Sequence, residues 1–291
     1  MDCTIIIPHH HQVDQLEICL RALIDQQTTV NYEIIVVDVD GKGRNYLNNE
    51  TYDGRVTWIE TPKKNPYISR NLGIVNSRGE VIILLDVKCR AAANFVTSAY
   101  EALSKSPRTV YAGQYELEFA SALIKDKVYG ALYLQPRKNI RHKYGVTAGN
   151  MAFTKQLFDS VGPFDESYHS GMDIKWSQQV WSMGFDIAYL SMMKVYYPAQ
   201  SWDELKESVK KYFCGISHIH RTQEMGFGSR LMYLIKQFLP MRISTYKLSL
   251  SSRPLVHTAK DKVYLWLRVW QAKIYMATAY LRCWMKHEDR P

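Results

Sequence analysis

The segment 69–90 combines side chains that can bind anions with a carboxylate at the end of an apolar run. It begins with the pair Arg70-Asn71, whose donors suit anionic oxygen atoms. The apolar run 81–85 then ends on Asp86, and Lys88 stands two residues later, where a second carboxylate would complete a metal site. Divalent cations such as Mg²⁺ prefer several oxygen ligands, so the lysine favours binding of an anion at this position.

Four short apolar runs predict the buried strands that would position these residues. The runs lie at 4–7, 33–37, 56–59 and 81–85. Helical spacing of apolar residues predicts helices over 14–26 and 67–76. Strands that alternate with helices of about 15 residues are typical of βαβ units and a parallel sheet. The ligand of such a sheet lies beyond the C-terminal ends of its strands.

That rule gathers three groups of polar residues at one rim of one crevice. The groups are His9–His11, Asp38 with Asp40, and Asp86 with Lys88. Three consecutive histidines cannot all face one metal ion without a tight loop, and the sequence fixes no Cys or carboxylate beside them. We therefore interpret His9 as part of a ligand pocket and not as part of a metal site.

Six motifs follow one another in the order and at the spacing that family 2 glycosyltransferases with the GT-A fold display. They are Ile5–Pro8, Ile34–Asp38, Arg70–Gly73, Leu84–Asp86, Gly149–Phe153 (Gly-Asn-x-x-Phe) and Gly162–Glu166 (Gly-x-Phe-Asp-Glu). Residues 3–200 resemble this family. The resemblance implies an α/β fold with a GT-A-like, Rossmann-like nucleotide-binding mixed sheet flanked by helices. It also implies transfer of a sugar from a nucleotide donor with inversion at the anomeric carbon.

The resemblance also implies roles for single residues. The expected donor-binding residues are Pro8, His9, Asp38, Asp40, Arg70, Asp86 and Lys88. Gly149 and Asn150 are expected at the acceptor site, and Asp173 matches the general base of the family. A general base needs a carboxylate within hydrogen-bond reach of the acceptor hydroxyl. A UDP-sugar is the favoured donor, and a glycan or a lipid-linked molecule is the expected acceptor.

Three positions depart from the family's pattern, and two of them commonly help to bind or orient a divalent cation. The family's Asp-x-Asp is Asp86-Val87-Lys88, its Glu-Asp is Met172-Asp173, and a His after the last strand is Tyr197. We therefore expect no required Mn²⁺ or Mg²⁺; Asp86 would be the ligand if one were bound. Lys88 would instead supply the positive charge that a departing nucleoside diphosphate needs, which makes it a catalytic residue together with Asp173.

Two other functions are compatible with parts of the sequence. The same departures fit a catalytically inactive GT-A domain that serves as a binding or scaffold protein. A nucleotidyltransferase shares the type of sheet, but it would normally carry a Gly-rich, basic loop after the first strand, where this chain has histidines. The intact Arg70, Asp86 and Asp173 favour the enzyme over the scaffold.

The charge divides the chain into two predicted domains, 1–201 for catalysis and 202–291 as a basic helical extension. The extension holds 16 Lys and Arg against 7 Asp and Glu, which accounts for the whole formal charge of +9. A helical stripe runs through Trp266, Trp270, Ile274, Ala277, Leu281 and Trp284. Such helices suit an anionic membrane surface, and the alternative is a Trp face packed on the catalytic domain or on a partner. No nucleic-acid-binding module is recognisable.

The five cysteines are widely spaced and form no CxxC pair; they are Cys3, Cys19, Cys89, Cys214 and Cys283. We expect reduced thiols, mostly in the core. The sequence displays no signal-peptide pattern and no apolar run of about 18 residues. The expected location is the cytoplasm, with peripheral attachment to the inner face of a membrane.

Overall fold

The computed structural model describes residues 1–39, 41, 43, 47, 52, 54–222, 224–252 and 255–286. The chain forms two compact units, one of residues 1–116 and 136–197 and one of residues 117–135 and 198–291. The units differ from the predicted domains 1–201 and 202–291 chiefly in residues 117–135, which belong with the C-terminal part.

Eight strands form one mixed sheet: β1 (Cys3–His9), β2 (Tyr32–Val39), β3 (Val56–Thr61), β4 (Val81–Leu85), β5 (Arg90–Ala91), β6 (Thr109–Glu118), β7 (Asn150–Thr154) and β8 (Asp186–Pro198). Their order across the sheet is β3-β2-β1-β4-β7-β6-β8-β5. The strands β3, β2, β1 and β4 run parallel, whereas β7 is antiparallel to both β4 and β6. The predicted α/β fold with a mixed sheet is confirmed.

Burial on both faces explains why the central strands are continuous apolar runs. The side chains of 5–7, 34–37 and 82–85 are at most 1% exposed. The strand β3 is partly exposed and carries a weaker apolar pattern. The sheet therefore places the strongest sequence signals in its middle, next to the ends of β1 and β4.

The helices are α1 (Val13–Ile24), α2 (Pro66–Val75), α3 (Phe95–Lys105), α4 (Val128–Leu132), α5 (Pro136–Arg141), α6 (Lys155–Val161), α7 (Met172–Ser182), α8 (Trp202–Thr222), α9 (Phe227–Phe238), α10 (Ile243–Ser252) and α11 (Ala259–Lys286). The helix α2 begins with Pro66 after the N-cap Asn65, whose side chain accepts a hydrogen bond from the amide of Tyr67 at 2.8 Å. The helix α7 follows Gly171, which has a φ of 82°.

The motif Arg70–Gly73 attaches α2 to the sheet and to a distant turn. A Cβ at Gly73 would overlap the side chain of Ile6 in β1, so glycine allows the close approach. The side chain of Asn71 donates to the carbonyl of Phe164 at 2.8 Å and accepts from its amide at 3.1 Å. The prediction that Asn71 helps Arg70 to hold an anion is therefore wrong, because its amide group is used inside the protein.

The second unit is helical and contains a disulfide between Cys214 of α8 and Cys283 of α11. The prediction of reduced thiols is therefore wrong for this pair. The sequence could not reveal the pairing, since 69 residues separate the two cysteines and only helix packing brings them together. The thiols of Cys3, Cys19 and Cys89 are free and buried, as expected.

The tryptophan stripe of α11 packs against protein within the second unit. The indole nitrogens of Trp266 and Trp270 donate to the carbonyls of Met241 and Phe238, each at 2.8 Å. The ring of Trp284 lies 5.5 Å from that of Phe227. These contacts lie within the second unit and thus differ from the expected alternative, a Trp face packed on the catalytic domain or on a partner. Within the described ranges, no helix has both the length and the apolar character needed to span a membrane.

Candidate active site

A cavity of about 320 Å³ lies beyond the C-terminal ends of β1 and β4, as the parallel-sheet rule predicts. Five predicted donor-binding residues line it: Pro8, His9, Arg70, Asp86 and Lys88. Asp40 lies outside the described residues. Residues 64–66, at the start of α2, form part of the wall of this cleft.

His9 lines the cleft, and its imidazole is held by the carboxylate of Asp38. The ring nitrogen Nδ1 of His9 lies 2.7 Å from Oδ1 of Asp38, and both side chains are fully buried. The amide of Gln12 donates to Nε2 of His9 at 3.2 Å, so the proton of a neutral ring lies on Nδ1 and is donated to Asp38. The amide of Gly43 donates to Oδ2 of Asp38 at 2.7 Å.

These contacts change the role predicted for Asp38. The residue is 0% exposed, and both of its oxygens accept hydrogen bonds from the protein. A carboxylate in this position orients the imidazole of His9 and has no surface to offer a base or a ribose. The expected direct contact of Asp38 with the nucleotide is therefore corrected to a positioning role.

Arg70 and Asp86 form the charged centre of the cleft. The Nη2 atom of Arg70 donates to Oδ1 of Asp86 at 3.0 Å, and the carboxylate remains 41% exposed. The guanidinium carbon of Arg70 lies 5.5 Å from the centre of the Tyr67 ring. The buried Nε atom of Arg70 has no hydrogen-bond partner in the described part of the chain. A buried donor without a partner is costly, so a bound anionic oxygen would gain by meeting it.

Lys88 belongs to the tight turn that follows β4. The amide of Cys89 donates to the carbonyl of Asp86 at 2.9 Å, which closes a turn with Lys88 in its third position. Lys88 and Asp86 both line the cleft. The turn therefore presents one cation and one carboxylate to the same space.

Gly149, the residue before β7, contacts Asp86 at the end of the paired strand β4. The amide of Asp86 donates to the carbonyl of Gly149 at 3.0 Å, and a Cβ at Gly149 would overlap the Asp86 carboxylate. Asn150 is 1% exposed, and its Nδ2 atom donates to the carbonyls of Gln114 and Met193 at 3.2 and 3.3 Å. It therefore joins β6 to β8, and the acceptor contacts expected of Gly149 and Asn150 remain predictions.

Three donors fix the carboxylate of Asp173 in the first turn of α7. Its Oδ2 atom accepts from the amide of Ala148 at 3.1 Å. Its Oδ1 atom accepts from the amide of Ile174 at 3.0 Å and from the hydroxyl of Tyr67 at 3.3 Å. The same hydroxyl accepts from the amide of Met172 at 2.9 Å, so Tyr67 links α2 to the start of α7.

The surroundings of Asp173 favour its use as a proton acceptor. Burial raises the pKa of the Asp173 carboxyl, whereas the charge of Arg70 and the backbone donors oppose that rise and the charge of Asp86 adds to it. A carboxylate with a raised pKa accepts a proton more readily than an ordinary aspartate. Its fixed orientation also removes the cost of arranging it for each turnover.

The residues of the cleft do not fit a divalent cation. Among the described residues, no group of three or more His, Cys, Asp or Glu side chains could hold a metal ion. Asp86 already accepts from Arg70, and Lys88 lies in the same turn. Met172, which stands where the family has a second acid, is 2% exposed and apolar. A cation here would meet one partly exposed carboxylate and two positive side chains.

Lys64, Asn65 and Tyr67 are among the residues of this site that sequence reasoning missed. The pair Asn65-Pro66 carries the signature of an N-cap followed by the first residue of a helix, which could have located this wall. Tyr67 also lies three residues before Arg70, on the same helical face. Its aromatic ring is typical of core residues, which conceals the role of its hydroxyl.

Residues 4–162 match the family described as Glycosyl transferase family 2. The chain belongs to this family. It is 25% identical over 221 residues to glycosyltransferase AglE of Haloferax volcanii. The alignment covers 72% of this chain and 70% of that protein. The predicted resemblance is thus confirmed, and the protein is a glycosyltransferase.

Solved structures confirm the GT-A fold. One is mannosyltransferase PcManGT from Pyrobaculum calidifontis in complex with GDP-Man and Mn²⁺, with a TM-score of 0.64 and 14% identity over 98% of this chain and 87% of that chain. Another is GalNAc-T7 with UDP, GalNAc and Mn²⁺, with a TM-score of 0.55 and 15% identity over 72% of this chain and 48% of that chain.

Proposed function

We propose that this glycosyltransferase moves a sugar, with inversion, from a nucleotide-sugar donor in the cleft to a glycan or a lipid-linked acceptor. The observation that carries the proposal is the arrangement of Arg70, Asp86 and Asp173, in which a fixed carboxylate lies within the electrostatic influence of a charged pair. The solved structures of PcManGT and GalNAc-T7 contain GDP-Man and UDP, which supports a nucleotide-linked donor. A UDP-sugar is the donor we favour.

In this proposal, Asp173 serves the acceptor, and Arg70 and Lys88 serve the leaving diphosphate. Asp173 takes the proton of an acceptor hydroxyl while that oxygen forms a bond to the anomeric carbon. The bond from this carbon to the diphosphate breaks, and the nucleoside diphosphate leaves with the electron pair. Attack from the side opposite the leaving group inverts the anomeric centre. Arg70 and Lys88 stabilise the charge that develops on the diphosphate.

We propose that this transfer does not require a divalent cation. The support is the donor set of the cleft, in which Lys88 takes the place of a second carboxylate and Met172 takes the place of another acid. The structures of PcManGT and GalNAc-T7 contain Mn²⁺, so this protein would differ from them in its use of metal.

A calorimetric titration with UDP and with GDP in EDTA tests the donor site, and a transfer assay with nucleotide sugars tests the reaction. We expect binding of at least one nucleotide without metal. Asp173→Asn should abolish transfer and leave nucleotide binding nearly unchanged, because the base acts on the acceptor. Loss of binding in this variant would contradict the division of roles.

The second candidate is a catalytically inactive scaffold, and Lys88 with the buried Met172 is the observation that favours it. Such a protein could retain nucleotide binding without turnover. A screen of nucleotide sugars for hydrolysis and transfer, with and without Mn²⁺, separates the two functions. Binding of a nucleotide sugar with no hydrolysis and no transfer under any condition would favour the scaffold.

We further propose that the second unit contacts an anionic membrane surface. Since the tryptophans of α11 pack on protein, the support now comes from exposed side chains along α9. This α9 apolar row consists of Phe227, Leu231, Ile235 and Phe238, which are 71, 39, 44 and 40% exposed. The excess of positive charge in 202–291 complements anionic lipid, and amphipathic helices with such a row bind bilayer interfaces.

A further inference from the structure

The basic segment 137–143 has a concentration of positive charge that the donor site leaves unexplained. Its cationic or titratable members are Arg137, Lys138, Arg141, His142 and Lys143. No Asp or Glu occurs between residues 127 and 158 of the sequence. None of the ion pairs of the described residues includes a member of the basic segment. The cleft lining, as described, does not include the segment either.

The backbone carries this segment directly to the catalytic carboxylate. Two residues after the end of α5 at Arg141, Lys143 lies in the left-handed region at a φ of 51°, and its amide donates to the carbonyl of Ile140 at 3.0 Å. Two residues on, Gly145 packs so closely on Ile174 that a Cβ would overlap its backbone. Consecutive Cα atoms are about 3.8 Å apart, so Lys143 begins within about 8 Å of that contact.

The exposure of the segment suits a ligand that arrives from solvent. Arg137, Arg141 and Lys143 are exposed, whereas Lys138 is half-buried. Burial lowers the pKa of Lys138, and no acidic group opposes that change. A partly desolvated cation without a counter-charge gains more from an anionic partner than a fully solvated one.

We propose that the basic segment 137–143 binds an anionic group of the acceptor and so directs a neighbouring hydroxyl toward Asp173. The inference rests on the proposed transfer reaction, in which Arg70 and Lys88 already serve the diphosphate of the donor. The anionic group is a phosphate or a carboxylate. It can belong to an acidic glycan or to an isoprenoid diphosphate, because the same cations bind both.

Matched pairs of probes test the proposal on the full chain by ligand-observed NMR at low ionic strength. Methyl glucuronide and methyl glucoside 6-phosphate are each compared with methyl glucoside, and farnesyl diphosphate is compared with farnesol. We expect at least one anionic probe to bind at least about fivefold tighter than its neutral match, the effect of a few exposed charge contacts. The preferred probe distinguishes an acidic glycan from an isoprenoid diphosphate.

The double variant Arg141→Gln, Lys143→Asn should remove that preference, since asparagine tolerates the left-handed conformation of position 143. The matched control Lys105→Gln removes an exposed cation at the end of α3 and should keep the preference. Each ratio of anionic to neutral probe is measured with and without UDP. If the wild-type protein does not bind UDP, the proposed donor site is rejected, and the proposal for the basic segment is still decided by the probe ratios. Equal binding of charged and neutral probes, or an unchanged preference in the double variant, would overturn the proposal.

Discussion

If transfer is independent of metal, as we propose, exchange of Lys88 for aspartate should make it respond to Mn²⁺. In the wild-type protein a cation placed on Asp86 would meet the ammonium of Lys88, which lies in the same tight turn. Two unit charges about 4 Å apart interact by about 4 kcal/mol at an effective dielectric constant of 20, and a divalent ion doubles this repulsion. Because Asp86 is 41% exposed, solvent screening reduces the penalty to a few kcal/mol.

A penalty of that size weakens cation binding by about 10²-fold or more, since about 1.4 kcal/mol corresponds to a factor of ten. Lys88→Asp removes the repulsion and adds a carboxylate two residues from Asp86, which hard cations prefer. Lys88→Ala removes the repulsion without adding a ligand, so it is the matched control. This control should lose about 10²–10³-fold in turnover, the usual cost of removing one preorganised electrostatic group.

The assay is transfer to the acceptor in EDTA and in added Mn²⁺, for the wild type and both variants. We expect equal wild-type activity in both conditions, low activity of Lys88→Ala in both, and activity of Lys88→Asp that rises only with Mn²⁺. Wild-type activity that disappears in EDTA and returns with Mn²⁺ would refute the electrostatic argument. An active Lys88→Ala variant would show that the ammonium does not serve the leaving group.

Three further predictions concern other parts of the protein. Arg70→Ala should weaken UDP binding by about 1.5–3 kcal/mol, the value of a charge-assisted hydrogen bond, and unchanged affinity in calorimetry would exclude the donor placement. The proposed transfer requires ionised Asp173, so activity should be lost as pH falls through the raised pKa of this carboxyl. Tyr67→Phe removes a hydrogen-bond donor to the carboxylate and should move this loss of activity to higher pH, which a pH–rate profile measures. Serine substitution of the α9 apolar row should reduce sedimentation with anionic liposomes, whereas Val75→Ser, at a 76% exposed apolar residue of the first unit, should not.

The sequence predicted the half of the sheet in which strands are buried on both faces. Continuous apolar runs in β1, β2 and β4 are strong local signals, and the ends of β1 and β4 carry His9, Asp86 and Lys88 to one cleft. The placement of β7 between β4 and β6, and the two-residue strand β5, depend on pairing between distant segments. Such pairing leaves no periodic pattern in the residues of either strand, so the complete strand order was beyond the sequence.

The errors at the level of side chains have a common cause. Asp38 was expected to face the nucleotide, but the direction of its carboxylate depends on His9 and on the amide of Gly43. The stripe of α11 was identified as an apolar face, but its spacing could not tell which carbonyls Trp266 and Trp270 would meet. The type of a residue and the spacing of a pattern indicate that a side chain makes a specific contact. The tertiary structure decides which group it contacts.

The helix α2 connects the candidate site to several other parts of the fold. Within nine residues, Asn65 caps the helix, Tyr67 holds Asp173, Arg70 binds Asp86, Asn71 fixes the turn at 162–166, and Gly73 permits contact with β1. Apart from the cap, each contact reaches a different part of the fold, so a neighbouring residue of the helix could not replace it. The proposed general base, Asp173, and the charged pair Arg70–Asp86 are therefore both held by this one helix. A shift of α2 would therefore displace Asp173 and the Arg70–Asp86 pair together.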